Sequence, residues 1–471
     1  MAILIKTLSV LASLGLLIVL HEGGHFLFAK LFKTRVEKFF LFFDTRFHLF
    51  STYDPWFRRL IGKKPVPKDE NGDYQYQGTQ YGIGWIPLGG YVKISGMIDE
   101  SMDKEQMKQA PKPYEFRTKP AWQRLLIMLG GVIMNFIVAF FIYSMILYTW
   151  GEQYIKPADL TYGMKFNAEA KADGFRDGDI IMGVDNKEFE EWNPTHLRDI
   201  SNAKTVQVKR NGQSVNIPIK SEKNLLNMLE EPRYATELIP LQIDSILPGS
   251  PAEKAGIGKQ TKIVRINQTD IHDFNDVQYA LIDLQNQLAE DMTHADSVKL
   301  RTVTIQLAGN DSISTVQTVL TPELQLGIII KQPDYHISQK EYSLAEAFPA
   351  GVSYGVETLK GYVNDLKYVF TKKGARSVGG FISIGNIFPA QWSWYKFWNL
   401  TALLSIMLGF MNILPIPALD GGHALFCIAE IITRKKPSDK FLERAQVVGM
   451  ILLLALLIFA NLNDILRLFG I

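Results

Sequence analysis

Two histidines and a glutamate stand together in an otherwise apolar stretch, Leu16-Leu17-Ile18-Val19-Leu20-His21-Glu22-Gly23-Gly24-His25-Phe26-Leu27-Phe28-Ala29. On a helix, His21 and His25 fall four positions apart on one face, where two imidazole nitrogens can grip one metal ion. Glu22 lies beside them, placed to take a proton from a water held by that metal. The pattern is H-E-x-x-H. A single histidine on an apolar face is ordinarily a core residue with its hydrogen bonds met. Three ionisable groups in one membrane-length stretch are a different case. Each costs about 2.5–3.5 kcal/mol at a helix centre and persists where it has work to do.

A metal site needs a third ligand. The candidate is Asp420, a carboxylate at membrane depth in Asn412-Ile413-Leu414-Pro415-Ile416-Pro417-Ala418-Leu419-Asp420-Gly421-Gly422-His423. His423 is a rival close by in sequence. A negative ligand offsets a buried cation better, which favours Asp420. Two imidazoles and a carboxylate leave a fourth zinc position open for water, the arrangement of a catalytic zinc site.

The elements that must position these residues are membrane spans. The chain has 471 residues, a net charge of +2 and 47% hydrophobic residues. The near-neutral charge gives no basic face for nucleic acid. Long apolar segments flank a large polar middle, which argues for a membrane protein with a soluble insert. Cys427 is the sole cysteine, so neither an intrachain disulfide nor a cysteine zinc site is available.

The first span, 1–30, carries H-E-x-x-H. A cleaved signal peptide is disfavoured because no A-x-A-like site follows the apolar run. Lys30, Lys33, Arg35 and Lys38 put its end on the cytoplasmic side and the N-terminus outside. The second span, 121–150, starts at a basic cytoplasmic end, and helix packing accounts for its Gly130-Gly131 and Asn135. The third, 395–434, is broken by Pro415 and Pro417. The fourth, 441–469, returns the C-terminus to the outside. The expected class is thus an α-helical polytopic membrane protein with four transmembrane helices.

Within 31–120, two strand-like runs flank Gly89-Gly90 and predict a β-hairpin over 81–96. Its apolar content predicts that it dips into the membrane, where non-helical backbone survives only when buried or lining a wet cavity. An ordinary surface hairpin is the plainer alternative. A helical peptide bond is shielded, so cleaving a membrane helix requires unwinding it. An edge strand carrying Ile86, Leu88, Gly89, Gly90 and Tyr91 would hold the unwound segment by strand addition, and Asn412 would hydrogen-bond its freed backbone.

The polar insert contains a weak internal echo, Ala168–Ile181 and Ser250–Asn267, each a short helix ended by Gly and followed by a strand. Each stretch is similar to PDZ domains, assigned to 155–222 and 223–335, which add peptide C-termini to a sheet edge. Gln260-Thr261 stands where Gly-Asp is expected in the second. Residues 343–394 read as an amphipathic helix broken near Pro349, then a Gly-rich interfacial segment with Trp392, Trp394, Tyr395 and Trp398.

Taken in order, H-E-x-x-H, the 81–96 segment, the paired insert and Asn412-to-Gly421 resemble the site-2 protease family. The resemblance implies a zinc intramembrane endopeptidase of the bacterial inner membrane that makes the second cut in membrane-anchored substrates. Its substrates would be single-span anti-sigma factors and remnant signal peptides. It implies His21, His25 and Asp420 as Zn2+ ligands, Glu22 as catalytic base and Asn412 as a substrate contact. The PDZ pair would be an extracytoplasmic size filter, with both termini on that side. Gly23, Val132 and Phe381 depart from the family's usual residues, and the 44–80 loop is long. Two other classes compete. A membrane metal transporter would need further carboxylates or histidines inside the other spans, and 121–150 and 445–469 supply almost none. A PDZ scaffold with a structural metal would leave no free base, yet Glu22 is available.

Overall fold

The computed structural model describes residues 1–67, 78–87, 89–97, 110–193, 195–220, 223–288, 292–309 and 312–469. Among these, four helices are long and apolar enough to cross a membrane. They are α1 (Ala2–Leu31), α2 (Ala121–Trp150), α4 (Trp394–Ile413) and α6 (Asp439–Leu468). Helices α3 (Leu344–Val369) and α5 (Asp420–Thr433) pack with them, and shorter helices lie at Pro55–Leu60, Lys372–Ser377 and Phe381–Ile387. The chain divides into two units, residues 1–151 with 341–471, and residues 152–340.

In the membrane unit α2 is the hub, packed along α1, α3, α4 and α5. It starts after Pro120 and stops at Gly151, whose φ of 65° no continuing helix would adopt. The α4 helix ends at Leu414, which takes an extended ψ of 142° because Pro415 follows. The chain then runs irregularly to Leu419 and restarts as α5 at Asp420. The sequence expected one broken span over 395–434; the break divides it into two helices and puts Asp420 in the first turn of the second.

Pro349 does not interrupt its helix. A capping box of Ser343 and Glu346 starts α3, and the helix continues past the proline to Val369. The lost backbone bond is offset by close packing, with Ser144 Oγ donating to the Phe348 carbonyl and Tyr143 edge-on to Tyr354.

A four-stranded sheet joins α1 to α2, in the order β2 (Phe43–Ser51), β3 (Gln80–Ile86), β1 (Val36–Leu41), β4 (Tyr91–Ile94). The expected 81–96 hairpin does not form. The runs on either side of Gly89-Gly90 are separated by β1, which is parallel to β3 and antiparallel to β4. A two-residue turn would have paired neighbouring runs, but the earlier strand inserts between them. Gly90 serves close approach instead: a Cβ there would stand 2.6 Å from Ile18 Cγ2 of α1 and 2.7 Å from the Phe40 carbonyl oxygen. Buried Val36 and Ile94 pack with Ala29, Ile127 and Met128, fixing the sheet to α1 and α2.

The second unit repeats one layout twice. The first half has a sheet in the order Gln213–Pro218, Thr205–Arg210, Ile180–Val184, Lys187–Glu188; the second has Thr269–Asp270, Lys262–Ile266, Thr302–Ala308, Ile313–Val319. Each is preceded by the short helix and left-handed glycine read from the sequence, Gly174 (φ 115°) and Gly256 (φ 69°). The boundary at 222/223 moves, because Ala235–Glu237 pairs with Met164–Phe166 and Tyr234 donates to Asp173 of the first half. The second core starts near Leu241 and Ile243. The halves share a buried ionic junction, in which Lys165 Nζ meets Asp273 Oδ2 and Asp276 Oδ1 at 2.7 Å each and Asp177 Oδ2 at 3.1 Å.

Candidate active site

His21 and His25 lie one helical turn apart on the buried face of α1, and Asp420 reaches them from the first turn of α5. Among the described residues they form the one histidine, cysteine or acidic group close enough to hold a metal ion, with ligand atoms all within 4.8 Å. The facing atoms make a nearly equilateral triangle. His21 Nε2 and His25 Nε2 are each 3.3 Å from Asp420 Oδ2 and 3.3 Å from one another. Bonds of about 2.0–2.1 Å directed to the corners of a tetrahedron set neighbouring donor atoms about 3.3–3.4 Å apart. Asp420 Oδ2 is buried with no hydrogen-bond partner, although a buried carboxylate oxygen left unanswered is costly. Donor types, spacing and the orphaned oxygen fit zinc.

The α2 helix forms the wall behind this triangle. His25 Nδ1 lies 2.8 Å from the Ile127 carbonyl oxygen, which only accepts, so His25 carries its proton on Nδ1 and leaves Nε2 free. Asn135, fully buried, sets its side-chain amide 3.1 Å from His21 Nδ1. Between these two, Gly131 lets α2 press onto the imidazoles: a Cβ there would be 2.5 Å from both His25 Nε2 and His21 Cε1. From the sequence, close packing and a hydrogen bond to some neighbour suffice for Gly131 and Asn135, and nothing singles out Ile127. The legible signal was their spacing at 127, 131 and 135, one stripe of a helix.

The Glu22 carboxylate is close to His21, His25 and Asp420, and the backbone amide of Val92 in β4 points to it. Asn412 lies near the end of α4, its Nδ2 3.5 Å from His21 Nε2, on the triangle's side of the ring. His423 is outside the triangle; its ring packs edge-on to Phe426. Gly89, Gly90 and Tyr91 lead into β4, the sheet edge next to α1. Ile86 is elsewhere, closing β3 in register with Phe43. Leu88 lies outside the described residues.

A chain with a candidate metal triad and a carboxylate beside it, buried among membrane-length helices, is of the class that hydrolyses bonds inside the bilayer. Comparison with known proteins gives the class its family. Residues 72–456 match the model of peptidase family M50, and the chain belongs to that family. The Regulator of sigma E protease of Haemophilus influenzae is 25% identical over 98% of each chain. Protease RseP of Yersinia pestis is 27% identical over 99% of this chain and all of its own. A Campylobacter jejuni relative with zinc metalloprotease in its name is 25% identical over 99% of this chain and 95% of its own. The family match begins after His25, whereas the relatives span the first helix as well. The protein is a zinc-dependent intramembrane protease of the site-2 type, and its four spans fit an inner-membrane protein. These findings do not favour the transporter or scaffold alternatives.

Proposed function

We propose that His21, His25 and Asp420 are the zinc ligands, that Glu22 is the catalytic base, and that the outer edge of β4 presents unwound substrate to them. The observation that carries this reading is the 3.3 Å triangle closed on an oxygen with no partner of its own. Zinc held there supplies Lewis-acid chemistry, polarising a carbonyl and bringing the pKa of water toward about 7. Glu22 takes the proton as water attacks the scissile carbonyl and delivers it to the leaving amine. The Asp420 carboxylate, at the start of α5, also sits where a helix N-terminus favours negative charge.

A substrate strand laid along β4 would run past Glu22, since the Val92 amide already points that way. Gly89, Gly90 and Tyr91 would guide it, and Asn412 would hydrogen-bond a freed backbone group. Ile86, engaged with β2, is not on that edge. The relatives named for sigma E regulation support single-span anti-sigma proteins as substrates. Remnant signal peptides share the needed chemistry, an apolar segment already freed of its extracytoplasmic domain. The insert halves would be PDZ domains facing the extracytoplasmic side, with both chain termini there, admitting trimmed substrates and taking peptide C-termini.

The test is Glu22→Gln in the full chain, co-expressed with a trimmed single-span anti-sigma protein. Cleavage should fall about 10²–10⁴-fold while the purified variant keeps one zinc. Undiminished cleavage would remove Glu22 from the mechanism. A proline replacing Val92 should stop cleavage and leave zinc in place; a variant that still cuts would reject the β4 edge as substrate holder.

A further inference from the structure

We infer that Asn135 is a positioning residue of the zinc site, holding His21 in the one tautomer that can bind metal. The inference rests on the ligand reading proposed above. His21 has two ring nitrogens, and Nε2 faces His25 and Asp420. For Nε2 to offer its lone pair to a cation, the ring proton must be on Nδ1. The Nδ1–H must then donate, and the Asn135 amide stands across from it with Nδ2 placed at 3.1 Å.

The two ends of an amide are nearly the same size, so which one faces the ring is decided by the hydrogen bonds it makes. An NH2 facing Nδ1–H would oppose two donors. The carbonyl oxygen Oδ1, which is buried and otherwise without a partner, would accept. Turning the amide end for end within its own envelope matches it to the metal-binding form of His21.

The main chain around Asn135 is pinned for this task. Ser405 Oγ of α4 donates to the Asn135 carbonyl at 2.7 Å, and both residues are fully buried. One turn earlier is Gly131, and two turns earlier is Ile127, whose carbonyl performs the same service for His25. The two imidazoles on α1 are therefore each oriented from α2, one by a backbone carbonyl and one by a side-chain carbonyl. The second span supplies no ligand and still sets the direction of both.

The test uses the full-length protein in detergent, with zinc affinity read by competition against a chelator of known strength. Asn135→Leu keeps the volume and removes the acceptor; Asn135→Asp keeps an oxygen in its place. The Leu variant should bind zinc about 10–100-fold more weakly, and the Asp variant should stay near the parent value. Cobalt substituted for zinc gives a second readout, a changed visible ligand-field spectrum in the Leu variant and an unchanged one in the Asp variant. Asn135→Ala gives the same reading without added bulk should the Leu protein fail to accumulate. Parent-like zinc affinity in the Leu or Ala protein, or equal loss in the Leu and Asp proteins, would overturn the inference. His21→Ala serves as the separate control: if it binds zinc like the parent, the ligand reading itself has failed.

Discussion

Two of the buried ionic clusters among the described residues are built on opposite principles. In the insert, Lys165 is ringed by Asp273, Asp276 and Asp177, and every carboxylate is answered again from elsewhere. Asp273 accepts from the Asp276 amide, Asp276 from the His272 amide, and Asp177 from Lys171 and the Phe166 amide. Burial alone would lower the Lys165 ammonium, but its hydrogen bonds to Asp273 and Asp276 outweigh that and hold it above the ordinary lysine range. Burial alone would likewise raise Asp177; Lys171, the Phe166 amide and Lys165 hold it below the ordinary carboxylate range. In the membrane unit, Asp420 faces two imidazoles and its Oδ2 is left without a hydrogen bond. A cluster made for structure closes on itself. A cluster made for a ligand leaves a place open.

The sharpest way to break this contrast is to remove the central charge from each cluster. Asp420→Leu should abolish zinc binding and cleavage together. Without zinc, the same change should leave the melting temperature in detergent unchanged or raised, since an apolar replacement of a buried ionic group is often neutral or stabilising by about 1–4 kcal/mol. A clear loss of thermal stability would show that Asp420 is structural, like its counterparts in the insert. Lys165→Ala should do the reverse, destabilising the insert by about 3–5 kcal/mol because it strands buried carboxylates. Hydrogen exchange across 155–335 in the full chain would register that loss, with zinc content unaffected.

Smaller effects refine the picture. Tyr234→Phe removes the 2.8 Å hydrogen bond to Asp173, a carboxylate that Lys223 also holds at 2.7 Å. About 1.5–3 kcal/mol of local stability should go with it, read from exchange in the first half alone. The smallest effect is a pH dependence. Asp177 has a lowered folded pKa, so its contribution is full above the unfolded value near 3.9 and is lost as pH falls through the folded one. Lys165 has a raised folded pKa, so its contribution holds below about 10.4 and is lost only above that. Urea midpoints for the insert should therefore be level from about pH 5 to 9 and decline in acid; a decline already at pH 6 would point to a histidine instead.

Much of the site was legible because its signals are local. A spacing of four on a helix needs no tertiary information, and neither does the rule that charge in an apolar run has a use. Asp420 was found by a similar argument, from a carboxylate beside two prolines. The sheet was not legible, because its order depends on which strand arrives between two others. Gly89-Gly90 looks like a turn from either outcome, and only the approach of Ile18 and Phe40 explains why glycine is needed at 90. For Asn135 the sequence supports no more than close packing and a hydrogen bond to some neighbour, and that neighbour, His21, lies more than a hundred residues away. Pro349 was weighed by propensity, which tertiary packing overrode.

The insert's two ends carry a last implication. Glu152–Ile155 lies antiparallel to Ile337–Lys340, Glu152 opposite Lys340, so the polypeptide departs and comes back through a single doorway. A cartridge mounted that way is exchangeable: a brief connector between Gly151 and Glu341 would bridge the gap left by its removal. Such architecture lets evolution trade one insert for another, or discard it, without rethreading the helices that precede and follow it in the chain.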